Sequence, residues 1–179
     1  MRGARAAVRV VGVTDGDAQY LVAVCGLPGV GKSTVAEYVT EQVDGTRLRT
    51  DVIRKELFDE PTYSESETNR VYEELHDRTR DRLEHGDSVV LDATFANSRH
   101  REPLGAIARD YDAELRLIQV VCDDAAVERR IARRDDISDA DVEVYRQFKE
   151  LFDPVNGDAV TVDNSGSLDD TREQVDALF

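Results

Sequence analysis

Along the chain, short apolar runs alternate with helix-length stretches in which polar and apolar positions are mixed. The runs Tyr20–Cys25, Thr46–Thr50, Ser88–Leu91, Glu114–Cys122 and Ala159–Val162 are read as strands. Between and after them, helices are predicted over about Lys32–Val43, Asp51–Phe58, Glu65–His85, Ser98–Asp110, Ala125–Arg134, Asp139–Phe152 and Ser167–Leu178. Strand and helix in alternation is the pattern of a parallel sheet wrapped by helices, so the fold class expected is α/β. No repeat, low-complexity tract or linker divides the 179 residues, a length that suits one domain burying roughly 70% of its unfolded surface. A further β-like run, Ala6–Val13, is followed by the turn signal Thr14-Asp15-Gly16-Asp17. Residues 1–19 are therefore read as an added edge strand or a loose extension, and 20–179 as the domain itself.

Between the first strand and the first helix lies Gly26-Leu27-Pro28-Gly29-Val30-Gly31-Lys32-Ser33, followed by Thr34. It matches G-x-x-x-x-G-K-[ST] at every fixed position, in the strand–loop–helix setting that gives the motif its meaning. Glycines let backbone N–H groups turn inward around phosphate oxygens, and the helix beginning near Lys32 adds its N-terminal partial positive charge. Lys32 is expected to stand exposed in the empty loop and to serve the β- and γ-phosphates, while Ser33 offers its hydroxyl to Mg²⁺. A nucleoside triphosphate is the expected ligand.

Three further groups are candidates for chemistry. Thr50-Asp51-Val52-Ile53-Arg54-Lys55 places a carboxylate at a strand tip, with Arg54 one helical turn later on the same expected face as Asp51 and Lys55. In an open α/β sheet that tip borders the ligand crevice. Asp51 is thus either the base for an attacking hydroxyl, with Arg54 holding the acceptor, or an ordinary helix N-cap with a surface ion pair. Val89-Val90-Leu91-Asp92 ends a buried-strand run in an aspartate, placed either to hold Mg²⁺ beside Ser33 or to start a turn. Arg99 and Arg101, just beyond it, either reach the cleft or form a solvated face. Glu128-Arg129-Arg130-Ile131-Ala132-Arg133-Arg134 concentrates four arginines, and Arg130 and Arg134 project from one helix face. Such a pair of like charges costs a few tenths of a kcal/mol. Either Asp135 and Asp136 or a bound γ-phosphate would offset that cost, the latter if the cluster forms a short lid.

Composition narrows the setting. The formal net charge is −15, from 38 acidic against 23 basic residues, and only Lys32, Lys55 and Lys149 are lysines. A general nucleic-acid binder should show a basic face instead. Because the acidity is spread along the chain, adaptation to concentrated intracellular salt is the favoured reading, in which case the charge reports habitat and does not veto a nucleic-acid substrate. Cys25 and Cys122 each close an apolar run, with no C-x-x-C and no cluster among His76, His85 and His100, so reduced core thiols in a cytoplasmic protein are expected. The N-terminal apolar run is too short for a signal peptide or a membrane span, and no membrane partner is expected.

Taken together, GLPGVGKST, TDVIRKEL, VVLDATFANSRHR and ERRIARRDDISDADV make the chain from about Tyr20 onward resemble the small P-loop kinases of the nucleoside-monophosphate-kinase-like superfamily. The nearest resemblance is to the AAA-type kinases that include phage-type polynucleotide kinase, zeta toxins and chloramphenicol phosphotransferase. That resemblance implies a three-layer P-loop NTPase fold, with a five-stranded, mostly parallel sheet, helices on both faces and a short Arg-bearing lid. It implies ATP and Mg²⁺ as cofactors, with Gly26 through Thr34 binding nucleotide and Ser33 and Asp92 serving the metal. Asp51 would be the general base, Arg54 a contact to the acceptor, and Arg130 and Arg134 lid arginines. Asn164 would lie in the loop that packs on adenine. The activity implied is transfer of the γ-phosphoryl to a hydroxyl, on a polynucleotide 5′ end or on a small metabolite such as a nucleoside, sugar acid or antibiotic, by a monomer or homodimer. A nucleotide-binding regulator with slow ATPase is the alternative from another class. No [NT]-K-x-D run marks a GTPase, no second arginine-finger region marks a ring ATPase, and no long lid insertion marks adenylate kinase.

Overall fold

A computed structural model describes residues 18–132 and 139–179. Five strands, β1 (Tyr20–Cys25), β2 (Thr46–Arg49), β3 (Val89–Asp92), β4 (Glu114–Val121) and β5 (Val160–Asp163), form one sheet in the order β2-β3-β1-β4-β5. Among the described residues every pairing is parallel, in keeping with the mostly parallel sheet expected. The helices are α1 (Lys32–Gln42), α2 (Thr50–Leu57), α3 (Glu65–Glu84), α4 (Leu104–Asp110), α5 (Asp124–Ala132), α6 (Asp139–Leu151) and α7 (Leu168–Asp176).

Successive side chains of a strand point to opposite faces, and that alternation builds two core layers. Leu21, Ala23, Cys25, Val89 and Leu91 face α2, α3 and α4 through Ile53, Val71, Leu75, Leu104 and Ile107. Val22, Val24, Val90, Ile118, Val120 and Val162 face α1, α5, α6 and α7 through Val35, Val39, Val127, Tyr145 and Val175. Helices on both faces explain why β1 and β3 read as unbroken apolar runs, with almost no solvent-facing residue.

Where the boundaries differ from the sequence reading, local chemistry accounts for it. The stretch Ser98–Asp110 is not one helix but a 3₁₀ turn, Ser98–His100, followed by α4. Pro103, which has no N–H and disfavours helical geometry in the residue before it, stands at the N-cap of α4 and separates the two. The second strand stops at Arg49, one residue early, because Thr50 already begins α2. Two helices start on side-chain caps. Ser64 accepts from Glu67 N, and Ser167 with Asp170 forms a reciprocal capping box, each cap stabilising its helix by about 1 kcal/mol. The β-like run Ala6–Val13 lies outside the described residues.

Candidate active site

All five parallel strands point their carboxyl ends the same way, and that end of the sheet carries the phosphate loop after β1, Asp51 after β2 and Asp92 at the end of β3. The loop turns where only glycine fits. Gly26 has φ 144°, and a Cβ there would lie 2.4 Å from the Val120 carbonyl oxygen. Gly31, the N-cap of α1, has φ 92°, and its Cβ would lie 2.2 Å from Asn164 Nδ2. In a chain of net charge −15, the first turn of α1 carries no acidic residue, whereas α2, α3, α5 and α7 each carry one or more there. The positive end of the α1 dipole is thereby left for an anion.

Two sequence-predicted residues brace this loop from the core side. Asn164 Nδ2 donates to the Val30 carbonyl at 2.8 Å, while its Oδ1 accepts from Thr171 Oγ1 at 2.9 Å. Arg130 donates to the Asn164 carbonyl at 2.7 Å, and its other arm lies 3.4 Å from the Val30 carbonyl and 3.3 Å from Cys122 Sγ. Neither side chain is free. Asn164 is almost fully buried with both ends of its amide engaged, so its side chain supports the phosphate loop. Arg130 likewise sits on backbone carbonyls under the loop and not on a free helix face. Arg134, expected to pair with it, lies outside the described residues.

Lys32 is not exposed but half-buried, and its Nζ donates to the Leu27 carbonyl at 2.8 Å. Burial lowers its pKa from 10.5 to about 8, against the opposing pull of the nearby Asp92 carboxylate. Ser33 and Thr34, next along the helix, are exposed. The thiol of Cys25, at the end of β1, is pushed up to about 11 by burial. It is an inert core group, as expected, and Cys122 is half-buried and also free.

At the tips of β2 and β3 the parallel register sets Arg49 directly beside Asp92. Arg49 Nη2 donates to Asp51 Oδ2 at 2.8 Å, and its Nε stands 3.4 Å from Asp92 Oδ2. Asp92 is 6% exposed, and its Oδ2 has no hydrogen-bond partner. Asp51 is open to solvent, its side chain 58% exposed, and it also accepts from Val52 N at 2.9 Å. Arg54 does not share the face of Asp51 and Lys55. It is buried against α3, 3.2 Å from Thr68 Oγ1 and 3.5 Å from Glu67 Oε2, with the exposed Tyr63 ring 4.8 Å over its guanidinium. Glu67 in turn accepts from the backbone N–H groups of Thr62 and Tyr63, which hold its carboxyl below the usual range.

Past Asp92, Phe95 adopts φ 50° and donates its N–H to the buried Tyr72 hydroxyl at 2.8 Å. His100 stacks on Tyr72 at 3.9 Å, and burial, with Arg99 adding repulsion, lowers its pKa to about 4, so the ring is neutral. Arg99 binds Glu65 and Asn69 on the outer surface. Arg101 binds the Phe95, Asp153 and Pro154 carbonyls, while Ser98 N donates to Asp153 Oδ2 at 2.7 Å. This strap joins the end of α6 to the exit of β3. A cleft of about 330 Å³ opens beside the phosphate loop, between Leu27, Val30, Cys122, Tyr145 and Phe152. At its edge Asp124 accepts from Tyr145 at 2.6 Å and from Lys149 at 2.6 and 2.8 Å.

Among the described residues no group of three His, Cys, Asp or Glu side chains gathers to hold a metal. The donor set suits Mg²⁺ all the same, because that ion is commonly held by one or two protein oxygens plus substrate phosphates and water. A buried, unsatisfied Asp92 oxygen near the loop that presents Ser33 fits that pattern. Sequence reasoning missed Arg49 and the Glu67–Thr68 pair. The signal for Arg49 was strand alternation, which puts Arg47 and Arg49 on the same face as Asp92; Arg47 donates to the Ser33 carbonyl at 3.0 Å.

Comparison with known proteins bears on the family and the fold. A family model described as an AAA domain matches residues 21–155. An uncharacterized protein of Mycobacterium tuberculosis, Rv2004c, is 32% identical over 139 residues, covering 69% of this chain and 28% of its own length. The chain thus spans little more than a quarter of the curated relatives it matches. Among solved structures, a gluconokinase from Sinorhizobium meliloti 1021 superposes with a TM-score of 0.68 at 16% identity, over 89% of this chain and 93% of the other. The APS kinase of Mycobacterium tuberculosis, in complex with AMPPNP and APS, gives 0.67 at 18% identity, over 90% and 98%.

Proposed function

Since the chain belongs to the AAA domain family and has the fold of the small P-loop kinases, we propose that it transfers the γ-phosphoryl group of ATP to a hydroxyl on an acceptor molecule. The observation that carries this reading is the convergence of three groups at adjacent strand ends: the phosphate loop, the solvent-open Asp51 carboxylate and the buried Asp92. A pure nucleotide-binding regulator has no need of a carboxylate open to an acceptor beside the loop.

In this reading the loop N–H groups and the α1 terminus bind the β- and γ-phosphates, and Lys32 leaves the Leu27 carbonyl to join them. Asp51 accepts the proton of the attacking hydroxyl as its oxygen bonds to the γ-phosphorus and the bond to the β-phosphate oxygen breaks. Ser33 and Asp92 would hold Mg²⁺, which when bound neutralises phosphate charge. Arg130 and Asn164 keep the loop in shape from below. Arg54, buried between α2 and α3 and engaged with Thr68 and Glu67, braces the helix that carries Asp51. At low salt the net charge of −15 repels a phosphate backbone and favours a small hydroxylated metabolite over a polynucleotide 5′ end, whereas concentrated salt screens that repulsion.

The test is labelled ATP offered to a panel of sugars, sugar acids, nucleosides and 5′-hydroxyl RNA and DNA, at low and molar salt. Transfer to a small acceptor is expected. Asp51→Asn should keep ATP affinity and lower transfer by roughly two powers of ten or more. Slow hydrolysis with no acceptor labelled would overturn the kinase reading.

A further inference from the structure

Arg49 has no part in the chemistry just described, yet among the described residues it is the one cation within ion-pair distance of both carboxylates. The register of β2 and β3 puts it beside Asp92, and the immediate start of α2 brings Asp51 to its other side. The two contacts are unequal. Nη2 makes a full hydrogen bond to Asp51 at 2.8 Å, whereas Nε lies 3.4 Å from Asp92 Oδ2, and these two atoms are buried without a hydrogen-bond partner. A buried polar group without a hydrogen-bond partner is destabilising, so this half of the arrangement is poised for exchange. Arg54 cannot take over, being engaged with Thr68 and Glu67.

We infer that Arg49 is a positioning residue with two separable roles: it is the resident counter-ion of Asp92, displaced when a divalent cation enters, and it orients the Asp51 carboxylate through Nη2. The inference rests on the reading of Asp51 and Asp92 as parts of a phosphoryl-transfer site. A positive charge 3.4 Å from the metal-facing oxygen opposes a dication there, and its removal relieves that repulsion. Lysine keeps a charge near Asp92 but has a single head in place of the fork, so it cannot span both carboxylates.

Mn²⁺ binding to the nucleotide-free full chain, read from the loss of its free-ion electron paramagnetic resonance signal, tests the first role; steady-state kinetics test the second. Arg49→Gln should tighten Mn²⁺ at least about fivefold. Arg49→Lys should leave Mn²⁺ affinity near wild type while lowering kcat about tenfold or more at unchanged KM for ATP. Circular dichroism melts establish that each variant is folded, and either variant alone decides one role. Unchanged or weaker Mn²⁺ binding in folded Arg49→Gln overturns the counter-ion role. Wild-type kcat in folded Arg49→Lys overturns the orienting role. If the wild-type chain transfers phosphate to nothing, the proposed function fails, while the Mn²⁺ titration still decides whether Arg49 guards Asp92.

Discussion

Nucleotide binding should draw a proton from solution, and Lys32 sets how much. Its ammonium is half-buried against a backbone carbonyl, and burial lowers its pKa to about 8. Triphosphate beside it favours the charged form, so each deprotonated Lys32 takes up one proton when ATP binds. The uptake is then about 0.1 proton at pH 7, about 0.5 at pH 8 and about 0.9 at pH 9, from the titration curve alone. ATP affinity should correspondingly fall about tenfold, about 1.4 kcal/mol, between pH 7 and pH 9. The γ-phosphoryl group titrates as well, so the share of Lys32 is read as the difference in uptake between wild type and Lys32→Met, which lacks the ammonium. The assay is isothermal titration of AMPPNP in buffers of different ionisation enthalpy, with Lys32→Met as control. The same burial has a stability consequence. A lysine whose folded pKa is depressed opposes folding wherever it must carry its charge, fully below about pH 8, and that penalty disappears as pH rises past the unfolded value of 10.5. It is on the order of 3 kcal/mol, so Lys32→Met should raise the melting temperature of the nucleotide-free protein at neutral pH while abolishing turnover. Buffer-independent binding enthalpy at pH 8 to 9, or equal uptake in Lys32→Met, would refute the assignment.

Gly31→Ala should abolish AMPPNP binding and lower stability by about 1–3 kcal/mol, since its Cβ meets Asn164 Nδ2 at a backbone conformation unsuited to L residues; calorimetry reads both. Asn164→Ala should cost a similar 1–3 kcal/mol in denaturant melts by leaving the Val30 carbonyl and Thr171 hydroxyl without this partner, and wild-type stability would contradict the bracing role. Asp153 is held below the usual carboxyl range by its Ser98 hydrogen bonds, so its contribution is present above that range and lost as pH falls through the depressed value. Asp153→Asn should therefore flatten the acid limb of a stability–pH curve. If the net charge of −15 is an adaptation to salt, molar potassium chloride should raise the melting temperature above its value in dilute buffer, and equal midpoints would return the acidity to another role.

Sheet and helices were legible in the sequence because β1 and β3 are buried on both faces and so read as unbroken apolar runs, and because the phosphate loop announces both the strand before it and the helix after it. The fold followed from order alone. The directions of long polar side chains did not. The sequence reading makes Arg130 a lid arginine and Arg54 a contact to the acceptor, yet each is drawn to acceptors on segments distant in sequence: Asn164 lies 34 residues from Arg130, and Thr68 lies 14 from Arg54. Periodicity tells which way a Cα–Cβ bond points on its own element; it is silent on which carbonyl a six-ångström side chain finds in another. Arg49 escaped notice for the same reason, since its importance comes from the register of β2 with β3.

The strap of Arg101 and Asp153 has a consequence for how such a chain can diversify. The arc from Asp124 to Leu151 leaves the sheet at β4, where Asp123 N is held by Ser165 Oγ at 2.9 Å, and is fastened again just past its far end by the carbonyls that Arg101 gathers. Ser165 follows β5 and Arg101 follows the 3₁₀ turn, and the arc adds a third tie of its own, from Arg130 to the Val30 and Asn164 carbonyls. Closing a loop on fixed ends costs only slowly more as the loop lengthens, about 0.6 kcal/mol per doubling. Length added between the two helices is therefore cheap in entropy, but Arg130 ties α5 to the phosphate loop, so that exchange of the arc reaches nucleotide binding before it reaches Asp51 and Asp92, which follow β2 and β3 on the other side of β1.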